Sequence, residues 1–264
     1  MRLLLVIAYD GQPFSGWQSQ PGVPTIQDLL SVASKEICGE SLLFHGSGRT
    51  DAGVHALGQV AHLDLPADNS MSPADWRSAL NAHLPAEIRI IDACEAPANF
   101  HAQYSAKQKL YRYRIANCPV LPPQLAGRAW HLYGALDKDL MEQAAAVLTG
   151  THDFRRFSAT RGKARDGKPQ DPDDTRRQVF SITIRRHLLA DAIDCPVIDF
   201  EFCGSGFLYK MVRMLTGSIA KCAQGRLEIS EIEGMLREPA TGERCRHNAP
   251  ADGLSLVRVE YPFR

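Results

Sequence analysis

Arg49, Thr50, Asp51 and His55 put four polar side chains within seven residues, in the stretch GSGRTDAGVHALGQVAH that runs from Gly46 to His62. So many polar groups in a flexible frame read as a loop built to hold a reactive carboxylate, Asp51. Gly46, Gly48, Gly53 and Gly58 free the backbone there for positive φ and for close approach to a ligand. Gly, Asp and Thr are also what ordinary turns are made of, and composition alone reads the stretch as a turn. A tight hairpin needs only an Asp-Gly or Asn-Gly pair, however, and has no use for an arginine and a histidine. A metal cluster of His45, His55, His62 and Asp51 is a further reading. No His-x-x-x-His pair or equivalent ligand spacing supports it.

The chain that must position this loop has 264 residues, 44% hydrophobic and 23% charged, enough for a well-buried core and for two domains. Its longest apolar run, Leu3 to Ala8, is far short of a membrane span, and the N-terminus lacks a signal-peptide pattern. A cytoplasmic location without a membrane partner is the expectation. Cys38, Cys94, Cys118, Cys195, Cys203, Cys222 and Cys245 are scattered without a Cys-x-x-Cys pair and read as reduced thiols. Since 30 basic residues balance 30 acidic ones, net charge gives no argument for a nucleic-acid partner. Local charge carries that case: Lys107, Lys109, Arg112 and Arg114 fall between Ser105 and Ala116 without one acid. The basic residues from Arg155 to Arg177 are interrupted by Asp166, Asp171, Asp173 and Asp174 and read as a solvated face.

Leu3–Tyr9 reads as a buried strand, broken by Gly11, Pro13 and Gly16, and Thr25 caps a helix whose apolar face is Ile26, Leu29, Leu30, Ala33 and Ile37. Ser41–Phe44 is the strand expected to deliver the Asp51 loop and Gln59–Leu65 the strand that leaves it. Ser72 and Pro73 start a second helix, and Ile88–Cys94 is a strand again. Strand, helix, strand, strand, helix, strand is the ferredoxin-like arrangement, and it fills residues 1–104. Residues 105–264 repeat the theme, with strands Lys107–Ala116, Val179–Ile184, Val197–Cys203 and Leu254–Val259. Helices are expected from Asp137 through Leu148, over Phe207–Gln224, and from a capping box of Ser230 with Glu233. The expected class is α+β, with two ferredoxin-like α/β halves forming a continuous mixed or antiparallel sheet and the active-site cleft between them.

The eleven residues GSGRTDAGVHA resemble, almost letter for letter, the signature of the TruA family of tRNA pseudouridine synthases. The resemblance begins at YDGQPFSGWQ and continues through FHAQYSAKQKLYRYRI, GFLYKMVRMLTGSI and DGLSLVRVEYP. It implies an isomerase that converts uridine to pseudouridine at positions 38, 39 and 40 of the tRNA anticodon stem-loop, as a homodimer, with no cofactor and no metal. It also makes Asp51 the catalytic nucleophile. The reaction breaks the C1′–N1 bond, rotates the uracil and rejoins it through C5, for which a carboxylate suffices, whether it adds to C6 or acts at the sugar.

Desolvation in a base-sized pocket opposes ionisation of a carboxylate, so a fixed cation is required. The resemblance assigns Arg213 in MVRM to that part. A helical wheel puts Arg213 almost opposite Phe207, Met211, Met214, Leu215, Ser218 and Cys222, which by itself reads as solvent; Gly217 and Ala220 on its own side would let another backbone approach. Alternation sends Tyr111 and Tyr113 to one sheet face. Tyr113 reads as a core aromatic, whereas the resemblance implies that Tyr111 stacks on the target uracil and helps remove the C5 proton. Leu254 and Leu256 line the pocket by the same resemblance, and Arg49 binds the substrate where the target uridine is extruded from its stem. The chain departs from the family pattern at Arg161–Thr175, which is longer, and in its neutral net charge. Two other classes stand beside the isomerase: a non-catalytic RNA-binding protein on the same scaffold, and a metal-dependent hydrolase.

Overall fold

The apolar run at the start of the chain becomes β1 (Arg2–Tyr9), with Leu3, Leu4, Leu5 and Ile7 wholly removed from solvent. A strand buried on both faces needs cover on both, and the rest of the first unit supplies it. The computed structural model describes residues 1–160, 174–188, 195–237 and 242–262. The chain divides into two compact units, Met1–Leu110 with Ser255–Arg264, and Tyr111–Leu254. The boundary between the units falls within the strand Gln108–Ala116.

In the first unit, β2 (His45–Gly46) and β3 (His55–Asp64) flank the Asp51 loop, and β4 (Ile88–Ala96) follows the second helix. β1 lies antiparallel between β3 and β4, and β2 pairs with the far end of β3. Helix α1 (Ile26–Cys38) starts at Thr25, whose side chain accepts from Asp28 N–H, and stops at Gly39 in the left-handed region. Helix α2 (Pro73–His83) opens with a capping box between Ser72 and Asp75 and rests on β4. Each such cap is worth about 1 kcal/mol. One sheet face is covered by Phe100, Ala102 and Tyr261, which bury Leu4 and Val60.

Two strand boundaries differ from the sequence expectation. Ser41–Phe44 does not pair; only His45 and Gly46 do, so Leu42 and Phe44 are buried without joining a ladder while Leu43 is exposed. β3 begins at His55 rather than Gln59, which shortens the loop to residues 47–54.

The second unit contains most of β5 (Gln108–Ala116), then β6 (Trp130–His131), α3 (Lys138–Leu148), β7 (Gly150–Asp153), β8 (Arg176–Leu188) and β9 (Pro196–Gly204). Helices α4 (Met211–Ala223) and α5 (Ile229–Leu236) follow, and Leu254 begins β10 (Leu254–Glu260). β7, β8 and β9 are successive antiparallel neighbours, β9 lies beside β5, and β6 runs parallel to the end of β5. α3 packs on α4 and α5. α4 starts four residues later than expected, because Lys210 takes the left-handed conformation (φ 60°) immediately before it. α5 is capped by Glu228 with Glu231 instead of Ser230 with Glu233. In the first unit, residues 255 and 256 of β10 run parallel to residues 55 and 56 of β3. Both units are thus α+β, as expected. All seven cysteines are free thiols, and among the described residues no helix is long and apolar enough to cross a membrane. Of the Arg161–Thr175 insertion, residues 161–173 lie outside the described residues.

Candidate active site

The loop between β2 and β3 is held at nearly every residue. Ser47 N–H donates to the Val60 carbonyl (2.7 Å), and Lys109 Nζ donates to the Ser47 carbonyl (2.6 Å). Trp17 N–H donates to the Thr50 carbonyl (3.1 Å). Gly16 has φ 92°, and a Cβ there would lie 2.6 Å from that same carbonyl oxygen, so only glycine allows this approach. Asp51 itself begins a turn closed by Val54 N–H on its carbonyl (3.1 Å), with Gly53 at φ 78° in the position where such turns favour glycine. The Asp51 side chain is half-buried and Arg49 is exposed.

Beneath the loop lies a chain of buried polar groups. Gln59, fully buried on β3, donates to the Gly48 carbonyl (2.9 Å) and to the Tyr9 hydroxyl (3.4 Å), and accepts from Ser47 Oγ (2.7 Å). The Tyr9 hydroxyl also meets Thr50 Oγ1 (2.8 Å). Burial pushes the Tyr9 phenol up to about 12, so it is a neutral hydrogen-bonding group near pH 7. At the loop's exit, His55 Nδ1 accepts from Gly11 N–H (3.1 Å) and lies 3.2 Å from Asp10. His55 is therefore spent on anchoring the loop to the end of β1.

The histidines weighed as metal ligands separate. His45 and His62 face each other across the β2–β3 pairing, stacked at 4.8 Å, and the third ring beside them is His101, 4.7 Å from His62. One nitrogen of each lies within 4.8 Å of the others. Their hydrogen bonds do not suit a cation. His62 Nδ1 accepts from Ala102 N–H (3.2 Å) and His101 Nδ1 from Gln103 N–H (3.2 Å). In a neutral imidazole the other nitrogen then carries the proton and has no lone pair for a metal. Burial first, then His45, His101 and Arg2, push His62 down to about 4, so the ring stays neutral near pH 7.

In the second unit, Tyr111 is buried on β5 with its ring edge-on to Phe207 (5.3 Å). Tyr113 is fully enclosed, and its hydroxyl donates to the Pro250 carbonyl (2.8 Å). Arg213 is not on a solvated face: Nε donates to the Ala249 carbonyl (2.8 Å), while Ala249 N–H donates to the Arg213 carbonyl (3.1 Å). The backbone that approaches Gly217 is that of His247, whose oxygen a Cβ would meet at 2.0 Å. Residues 247–250 thus tie the strand of Tyr113 to the helix of Arg213, and Leu254, buried, follows them. Asp51 and Arg49 belong to the first unit, and Tyr111, Arg213 and Leu254 to the second.

Besides Lys109, two cations of the expected basic patch are engaged, both in ion pairs. Arg112 pairs with Glu201 (2.9 Å), and Arg114 makes two 2.8 Å bonds to Asp199. Burial alone would raise the Asp199 carboxyl, but Arg114 and His187 hold it below the usual range. Gln59 and Tyr9 went unnoticed in the sequence, although an amide inside the run before Val60, Ala61 and Leu63 was the available signal.

A family described as tRNA pseudouridine synthase matches residues 5–105 and 144–262, which include Asp51 and Arg213. A protein of Akkermansia muciniphila named tRNA pseudouridine synthase A is 45% identical over 262 residues, spanning 99% of this chain and 95% of that one. Proteins of the same name from Syntrophotalea carbinolica and Rhodospirillum rubrum are 40% and 39% identical, spanning 97% and 99% of this chain and 95% and 88% of their own.

Proposed function

This chain belongs to the tRNA pseudouridine synthase family and is an isomerase of tRNA uridine; we propose that Asp51 is its nucleophile and that its targets are uridines 38, 39 and 40 of the anticodon stem-loop. The observation that carries the first part is the Asp51 loop itself. Asp51 is half-buried at the head of a closed turn, and the residues before it are bonded from inside and outside. A nucleophile held this way loses little freedom on reaching the transition state.

The reaction consumes nothing. The C1′–N1 bond breaks, the uracil turns, C1′ bonds to C5, and the proton leaving C5 is balanced by one gained at N1. Asp51 acts as covalent catalyst. Tyr111 stacks on the uracil and takes part in removing the C5 proton, Arg213 supplies positive charge for the carboxylate, Leu254 lines the base pocket and Arg49 contacts the RNA. The family resemblance supports these four roles, as it does the reading of a cytoplasmic homodimer.

The test uses purified protein and tRNA carrying tritium at C5 of uridine. Joining C5 to C1′ must release that tritium to water. Replacing uridines 38, 39 and 40 by cytidine is expected to abolish release, and release that persists undiminished would reject the anticodon-stem assignment.

A further inference from the structure

Gln59 occupies a position where the strand would otherwise carry an aliphatic residue. It is fully buried between Gly58 and Val60 on β3, beside β1. A buried amide is unfavourable unless its polar atoms are satisfied, and here all of the bonds that satisfy it lead to the Asp51 loop or to Tyr9. We propose that Gln59, acting with Tyr9, is a positioning residue for pseudouridine formation: the two hold Ser47, Gly48 and the Thr50 side chain, on either side of Arg49, and so aim Asp51. This rests on the reading of Asp51 as the nucleophile.

The geometry leaves little choice in how the amide sits. The Gly48 carbonyl can only accept, so Nε2 must face it (2.9 Å), which turns Oε1 toward the Ser47 hydroxyl (2.7 Å). The second Nε2 hydrogen points to the Tyr9 oxygen (3.4 Å), leaving the Tyr9 proton for Thr50 Oγ1 (2.8 Å). Tyr9 is 4% exposed and its ring lies against Trp17, so it is fixed by packing. Ser47, Gly48 and Thr50 are thereby held from beneath, and Thr50 is bonded directly to Asp51 in the chain. An aliphatic side chain at 59 would leave the β1–β3 pairing and the backbone bonds of Ser47 intact and remove those to the Ser47 hydroxyl and the Gly48 carbonyl. A displacement of about 1 Å at a reacting group costs on the order of 100-fold in rate.

Gln59→Leu and Tyr9→Phe, assayed for steady-state tritium release from tRNA beside thermal unfolding, test the proposal. Gln59→Leu is expected to lower kcat by roughly 10- to 100-fold and Tyr9→Phe by about 3- to 10-fold, each with KM within about twofold. The double variant should lose less than the product of the two, because both act on one loop. Unchanged kcat in folded variants, or a loss that falls on KM alone or tracks the unfolded fraction, overturns the proposal. If Gln59→Leu does not fold, Tyr9→Phe decides by the same criteria. Asp51→Asn, run alongside, separates the two ideas. Turnover by that variant rejects the nucleophile and the positioning role together; an inactive Asp51→Asn beside parent-like kcat in the other two rejects the positioning role alone.

Discussion

Acid should destabilise this protein through His62, and Asn at that position should remove the effect. The His62 ring is 2% exposed, accepts from Ala102 N–H, and is crowded by His45, His101 and Arg2, with only Asp64 acting the other way. Its folded pKa of about 4 lies below the ordinary 6.5, so between those values the unfolded chain binds a proton that the native state refuses. The stability it contributes is fully present above pH 6.5 and is lost as pH falls through about 4. At about 1.4 kcal/mol per unit the full gap sets an upper limit of about 3.5 kcal/mol. Solvent reaching the exposed His45 side of the cluster reduces that to about 1–2 kcal/mol. Asn keeps an acceptor where Nδ1 stands and has no basic nitrogen. Urea unfolding at pH 7.5 and 4.5, for parent and His62→Asn, isolates this contribution, since acid-sensitive carboxylates such as Asp64 and Asp199 are common to both. The variant should lose about 1–2 kcal/mol less than the parent over that interval. Equal losses would show that His62 titrates alike in the folded and unfolded chains.

Gly217→Ala should lower the unfolding free energy by about 1–3 kcal/mol through overpacking, because its Cβ would meet the His247 carbonyl oxygen at 2.0 Å; chemical denaturation measures this. Arg114→Met should cost about 2–4 kcal/mol by leaving the mostly buried Asp199 carboxylate without its two arginine bonds and with only His187 beside it, while the salt dependence of tRNA binding stays as in the parent. Arg49→Ala should instead flatten the slope of log affinity against log salt by roughly 0.7–0.9, and an unmoved slope would remove Arg49 from the RNA contacts. Tyr111→Phe should reduce turnover with little change in stability, whereas Tyr113→Phe should cost about 1 kcal/mol of stability at the Pro250 carbonyl and leave turnover alone; like behaviour of the two would make Tyr111 another core aromatic.

Local chemistry was the legible part of this fold. Thr25, Ser72 with Pro73, and Asp137 announce their helices because a cap is a bond between a side chain and a backbone two or three residues away. Ser41–Phe44 misled because alternate burial of Leu42 and Phe44 imitates a strand although no neighbour pairs with it. Pairing is a long-range fact that periodicity does not contain. Arg213 shows the same limit, since a wheel counts the residues of one helix and is blind to the 247–249 backbone that covers its polar side. Asp51 could be singled out because glycines and charged groups cluster around it in sequence. The support of its loop comes from Tyr9, Gln59 and Lys109, up to sixty-two residues from their partners. The His45, His62 and His101 group likewise exists only once β2 and β3 pair and residues 100–102 fold over the sheet.

The most direct test of the central claim is single-turnover tritium release from C5-labelled tRNA by Asp51→Asn, with tRNA binding measured on the same preparation. The substitution keeps size and polarity and removes the nucleophilic carboxylate. Binding within about twofold of the parent, with no release above a no-enzyme control, is the expected result. Measurable release by a variant confirmed free of the parent protein would contradict the covalent role of Asp51.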